Sequence, residues 1–115
     1  PVNRGFTHFE GCYNGAVDYF DRNRDGEIDW HIDNQPSKKE GYTTDLIGDA
    51  AVEFIKSVPD SEPFFLYVPF TAPHSPFQAK PEDSAKYPDR QGLKKTFAGM
   101  VDCMDQNIGK SPKKY

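Results

Sequence analysis

The sequence predicts an α/β chain, part of a sandwich that carries a β-hairpin, two helices and one buried core strand. Three observations predict it. Residues 64–70 are apolar on both faces, as in a strand covered on both sides. Two stretches flanking that run repeat their apolar residues at helical spacing. Upstream, polar and apolar residues alternate on the far side of a turn-rich segment. A helix leading into a buried strand and then a second helix is the pattern of layered α/β folds.

Taken in order, residues 1–14 are rich in Gly, Asn and aromatics without a clear period, and read as loop. Residues 16–20 have the make-up of a short strand, and 21–26 that of a turn. Residues 27–32 alternate and read as the return strand of the hairpin, followed by polar loop to Gly41. Ile47, Ala50, Ala51, Phe54, Ile55 and Val58 share one helical face, which predicts a helix over 45–57. Thr43 or Thr44 is suited to cap it and Asp45 to its positive end, while Pro59 stops it. Residues 63–70 are the expected core strand. Residues 71–91, with Pro73, Pro76, Pro81 and Pro88, read as an extended loop with one helical turn near 82–86. Leu93, Phe97, Met100, Val101, Met104 and Ile108 mark a second helix with a core-facing stripe, ended by Gly109.

Composition narrows the function. The 115 residues suffice for one core, and an aromatic share of 14% argues for a folded chain. A net charge of −4 without a Lys/Arg stripe argues against nucleic-acid binding. The longest apolar run is too short for a membrane span. Cys12 and Cys103 form no disulfide framework or zinc set; they could pair or stay free, and each reads first as a small buried hydrophobe. The chain opens on Pro1 and stops just after a helical pattern, so both ends are expected to be cuts or processing sites.

His74 is the leading candidate for chemistry. In open α/β sheets, ligands sit beyond the carboxyl ends of strands, and His74 lies four residues past the expected strand. Pro73 and Pro76 restrict its backbone. An imidazole there can donate a hydrogen bond to an anion or protonate a leaving oxygen. The alternative is a structural loop histidine bonded to a backbone carbonyl. A second constellation is Asp21, Asn23, Asp25 and Asp29, which resembles the first nine positions of a calcium-binding EF-hand loop. Ile32 stands where the twelfth-position Glu belongs, and the flanks read as strands, so a solvated hairpin turn is the better reading. His8, His31 and Trp30 read as surface or packing residues, and Lys94, Lys95, Lys113 and Lys114 as solvated charges.

Four segments together resemble the sulfatase family of the arylsulfatase type. They are Arg4-Gly5-Phe6-Thr7-His8-Phe9-Glu10-Gly11, Gly41-Tyr42-Thr43-Thr44-Asp45, Ala72-Pro73-His74-Ser75-Pro76, and Phe97-Ala98-Gly99-Met100-Val101 with Met104-Asp105 and Ile108-Gly109. The resemblance implies a fragment of an alkaline-phosphatase-like sandwich, with residues 1–115 an internal part of the catalytic domain. It implies hydrolysis of an aryl or carbohydrate sulfate ester, with His74 facing the sulfate and assisting departure of the alcohol oxygen. A related phosphodiesterase or phosphonate hydrolase, or a small calcium-binding module on residues 21–29, are the alternatives. The family's formylglycine arises from Cys or Ser in a Cys/Ser-x-Pro/Ala-x-Arg motif, and neither cysteine here sits in one. Its calcium ligands, an early Asp pair and a later Asp-Asn pair, are not recognisable either. Calcium and formylglycine are therefore expected of the parent enzyme and not of this chain, which alone should be inactive. The expected partner is a sulfated small molecule or glycan, the expected location periplasmic or secreted. Self-association through open strand surface is expected of the isolated piece.

Overall fold

Tight turns set the first third of the chain. The computed structural model describes residues 1–111, so the expectation for Lys113 and Lys114 lies outside the described residues. A 3-10 turn at Val2–Arg4 precedes five two-residue strands: β1 (Glu10–Gly11), β2 (Asn23–Arg24), β3 (Glu27–Ile28), β4 (His31–Ile32) and β5 (Gln35–Pro36). β2 and β3 pair as one antiparallel hairpin; β4 pairs with β5 on one side and β1 on the other. Each hairpin closes through two residues with positive φ, Asp25 (55°) with Gly26 (91°), and Asp33 (48°) with Asn34 (73°). That backbone matches the right-handed twist of the strands it joins, and Asp, Asn and Gly tolerate it best. The single hairpin expected between 16–20 and 27–32 is therefore two tandem hairpins. Residues 16–20 form no strand; instead Val17 and Tyr19 are fully buried.

Three helices complete the order: α1 (Thr43–Ser57), α2 (Pro81–Ser84) and α3 (Gly92–Gly109). α1 buries Ile47, Ala51 and Ile55 from the expected face. Its first turn differs from expectation: Tyr42 is the cap residue and makes no side-chain cap bond. Thr43 lies inside the helix, donating its hydroxyl to the Tyr19 carbonyl at 3.0 Å. On α3 the buried face is Gly99, Met100, Cys103 and Asn107, whereas Leu93, Phe97 and Ile108 are exposed. Of the apolar stripe read from spacing, Met100 is fully buried and Met104 packs against the core while its outer members face away, and two close backbone approaches line the contact. A Cβ on Gly48 of α1 would lie 2.2 Å from Asn107 Oδ1, and one on Gly99 would lie 2.9 Å from the Ser84 backbone nitrogen.

Two apolar clusters flank α1. Tyr19, Tyr42, Ala72, Met100 and Cys103 form one; Trp30, Leu46 and Ile47 form the other, with Val68 and Phe70 packed against it. The expected core strand at 63–70 is the main departure. It forms no strand, and among the described residues no other segment pairs with it. Leu66, Val68 and Phe70 turn partly inward, while Phe65 and Tyr67 are 77% and 66% exposed. Apolarity on both faces predicted cover on both sides, and these residues supply cover on one only. No helix among the described residues is long and apolar enough to cross a membrane.

Candidate active site

His74 sits on an exposed turn four residues beyond the extended 63–70 segment. The Ala72–Pro73 and Ser75–Pro76 peptide bonds flanking it are both cis. Its amide donates to the Thr71 carbonyl at 2.9 Å, closing the turn. Its Nδ1 lies 2.7 Å from the Ser75 carbonyl oxygen. A carbonyl only accepts, so Nδ1 carries the proton, and the exchangeable position is Nε2. Nε2 makes no hydrogen bond among the described residues. The two readings of His74 are thus compatible: one ring nitrogen fixes the ring on a backbone carbonyl, and the other is left for a ligand.

The turn is held from beneath by residues that sequence reasoning passed over. The Tyr19 hydroxyl donates to the His74 carbonyl at 3.0 Å, and the Tyr19 amide to Gln78 Oε1 at 2.8 Å. The Tyr42 hydroxyl donates to the Gln78 carbonyl at 2.8 Å. Arg22, also unremarked in sequence, is buried with φ 58° and donates Nη1 to the carbonyls of Phe20 and Gly41. Behind the turn lies a charged network. Lys80 Nζ is 2.7 Å from Asp45 Oδ2 and 3.4 Å from the buried Asp83, and Lys86 reaches both Asp83 and Asp102. Burial alone would raise the Asp45 carboxyl, but hydrogen bonds from Asn107 and Lys80 outweigh it and hold it below the usual range. Asp83 is likewise held low against its burial by Gln106 and Lys86 and by the nearby Lys80 charge.

The other candidates make no hydrogen bond to His74 and are held by contacts of their own. Asp21 Oδ1 accepts the Asn23 amide and Asn23 Oδ1 the Gly26 amide, as side chains do within turns. Asp25 pairs with Arg24 at 3.6 Å. Asp29 turns the other way, accepting the amides of Tyr13 and Asn14. His31 stacks on Tyr13 at 4.0 Å, His8 pairs with Asp33 at 3.0 Å, and Trp30 is fully buried. Among the described residues no three His, Cys, Asp or Glu side chains are grouped to hold a metal. Both cysteines are free. Burial, with the Asp29 charge, pushes the Cys12 thiol up to about 11; burial, with the Asp45 charge, pushes Cys103 up to about 12. These residues fit neither the calcium site nor the formylglycine that the resemblance implies for the parent.

Comparison with known proteins defines the class. The family model described as Sulfatase matches residues 2–113. The chain belongs to the sulfatase family. Over 94 residues, 76% of the chain, it is 33% identical to a sulfatase of Formosa agariphila, of which it spans 16%. It is 26% identical over 122 residues to arylsulfatase J of Mus musculus, matching 94% of the chain and 20% of that protein. Among solved structures, Ps i-CgsB superposes with a TM-score of 0.85 at 33% identity, covering 96% of this chain and 28% of that one. Its complex with k-i-k-neocarrahexaose superposes at 0.87 and 32% identity, covering 99% and 29%. The fold is accordingly the α/β fold of these solved structures, of which the chain spans less than a third.

Proposed function

We propose that residues 1–115 are an internal segment of a sulfatase catalytic domain, and that the whole protein hydrolyses a sulfate ester on a glycan. The single observation that carries this reading is the exposed His74, anchored at Nδ1 and unbonded at Nε2, in a chain of the sulfatase family. When protonated, such a ring presents Nε2–H to a sulfate oxygen or to the departing alcohol oxygen. Formylglycine and calcium would supply the nucleophile and sulfate binding, and both belong to residues outside this chain. A carrageenan-type substrate is supported by Ps i-CgsB, which is known in complex with k-i-k-neocarrahexaose. A periplasmic or secreted location is part of this reading, as the family resemblance implies. The 115-residue chain alone should turn over nothing.

The test is sulfate release by the full-length protein from a carrageenan oligosaccharide and from 4-nitrophenyl sulfate. On the carrageenan oligosaccharide, whose leaving oxygen is strongly basic, His74→Ala is expected to lower kcat by about 10²–10⁴-fold, the usual contribution of a positioned acid. Full activity in that variant, or faster hydrolysis of bis(4-nitrophenyl) phosphate than of any sulfate, would sink the reading.

A further inference from the structure

The turn that bears His74 is gripped at two points by one fully buried residue. Tyr19 is 0% exposed. Its hydroxyl holds the turn at the His74 carbonyl and its amide holds the chain at the Gln78 side chain, at 3.0 and 2.8 Å. Gln78 is fixed in turn, since its Nε2 donates to Asp18 Oδ2 and its carbonyl accepts the Tyr42 hydroxyl. The Tyr19 carbonyl accepts the Thr43 amide at 2.7 Å, which ties the assembly to the first turn of α1. Burial pushes the Tyr19 phenol above its ordinary value, so the hydroxyl keeps its proton and remains a donor.

We infer that Tyr19 is a positioning residue for His74, acting with Gln78 to aim the imidazole while touching no substrate itself. The inference rests on the reading of His74 as the group that assists the leaving oxygen. Without the hydroxyl, the His74 carbonyl loses its buried donor and the turn can shift. A displacement of about 1 Å in a catalytic group can cost about 10²-fold in rate.

The experiment uses the full-length protein and a series of substituted phenyl sulfates whose leaving phenols differ in basicity. A proton donor matters most where the departing phenolate is most basic. Tyr19→Phe is therefore expected to lower kcat about tenfold on phenyl sulfate and little on 4-nitrophenyl sulfate, a partial loss of aim. KM should stay within about twofold, because the interaction removed is not a binding one. His74→Gln is the reference and should show the same dependence more steeply. A flat His74→Gln series removes the donor role, and this inference with it. A steep His74→Gln series beside a flat Tyr19→Phe series overturns the inference alone. If Tyr19→Phe does not fold, Gln78→Leu loosens the same grip from its other end, and a flat series there is equally fatal.

Discussion

At the scale of single residues, His74 and the two thiols stand in opposite surroundings. His74 is exposed with a nitrogen to offer, whereas the two thiols are held as neutral S–H. With values pushed up to about 11 and about 12, both thiols stay overwhelmingly protonated at pH 8. Neither cysteine should react with a thiol-specific disulfide reagent within minutes in the folded chain, and both should react once denaturant is added. A fast native reaction at Cys103 would contradict the burial assigned to it. His74 was legible in the sequence because Pro-His-Ser-Pro after an apolar run is a local signal. Tyr19 and Gln78 were not. Their hydrogen bonds join residues 55 and 59 positions apart, and no window of sequence contains both partners.

At the scale of elements, helix packing depends on missing side chains and on charge. Gly48→Ala would drive a methyl group into Asn107, with a contact of 2.2 Å to relieve in a buried interface. We expect a loss of about 1–3 kcal/mol, as for other overpacked sites, measurable by thermal or urea denaturation; an unchanged melting temperature would show that α1 and α3 separate freely. The Asp83 and Asp45 carboxyls are both held below their unfolded values. Their contribution is therefore fully present above the ordinary carboxylate range, about pH 4, and is lost as pH falls through the lower folded values. Melting temperature should be level from about pH 8 to 5 and fall steeply below about 4. Asp83→Asn should be less stable at pH 7 and less sensitive to acid than the wild type. The two long helices were legible because period and stop signals agreed. The face α3 buries was legible at Met100 and Cys103 but not at Gly99 and Asn107, which carry little hydropathy and sit at the close approaches.

At the scale of the whole molecule, the chain is a third or less of the relatives it matches, and its surface shows it. None of the amides of residues 63–70 makes a backbone hydrogen bond among the described residues, and Phe65 and Tyr67 face outward. Such an edge pairs readily with another chain. The isolated 13.0 kDa chain is expected to show a mass rising with concentration in light scattering. Phe65→Lys with Tyr67→Lys should return it to the monomer mass, and a wild-type monomer at every concentration would refute the expectation. The double apolarity of this stretch reads as a demand for cover on both faces, and among the described residues only one face is covered. No described residue pairs with it, so the strand read from sequence is an unpaired extended run.

The two-point grip of Tyr19 has a mechanical consequence. The ring is fixed on the Ser75 carbonyl, the turn beneath it is tied through Tyr19 to the start of α1, and none of these hydrogen bonds involves residues 63–70. The turn bearing His74 is thus fastened by hydrogen bonds to the helical layer, and by none to the extended run beside it.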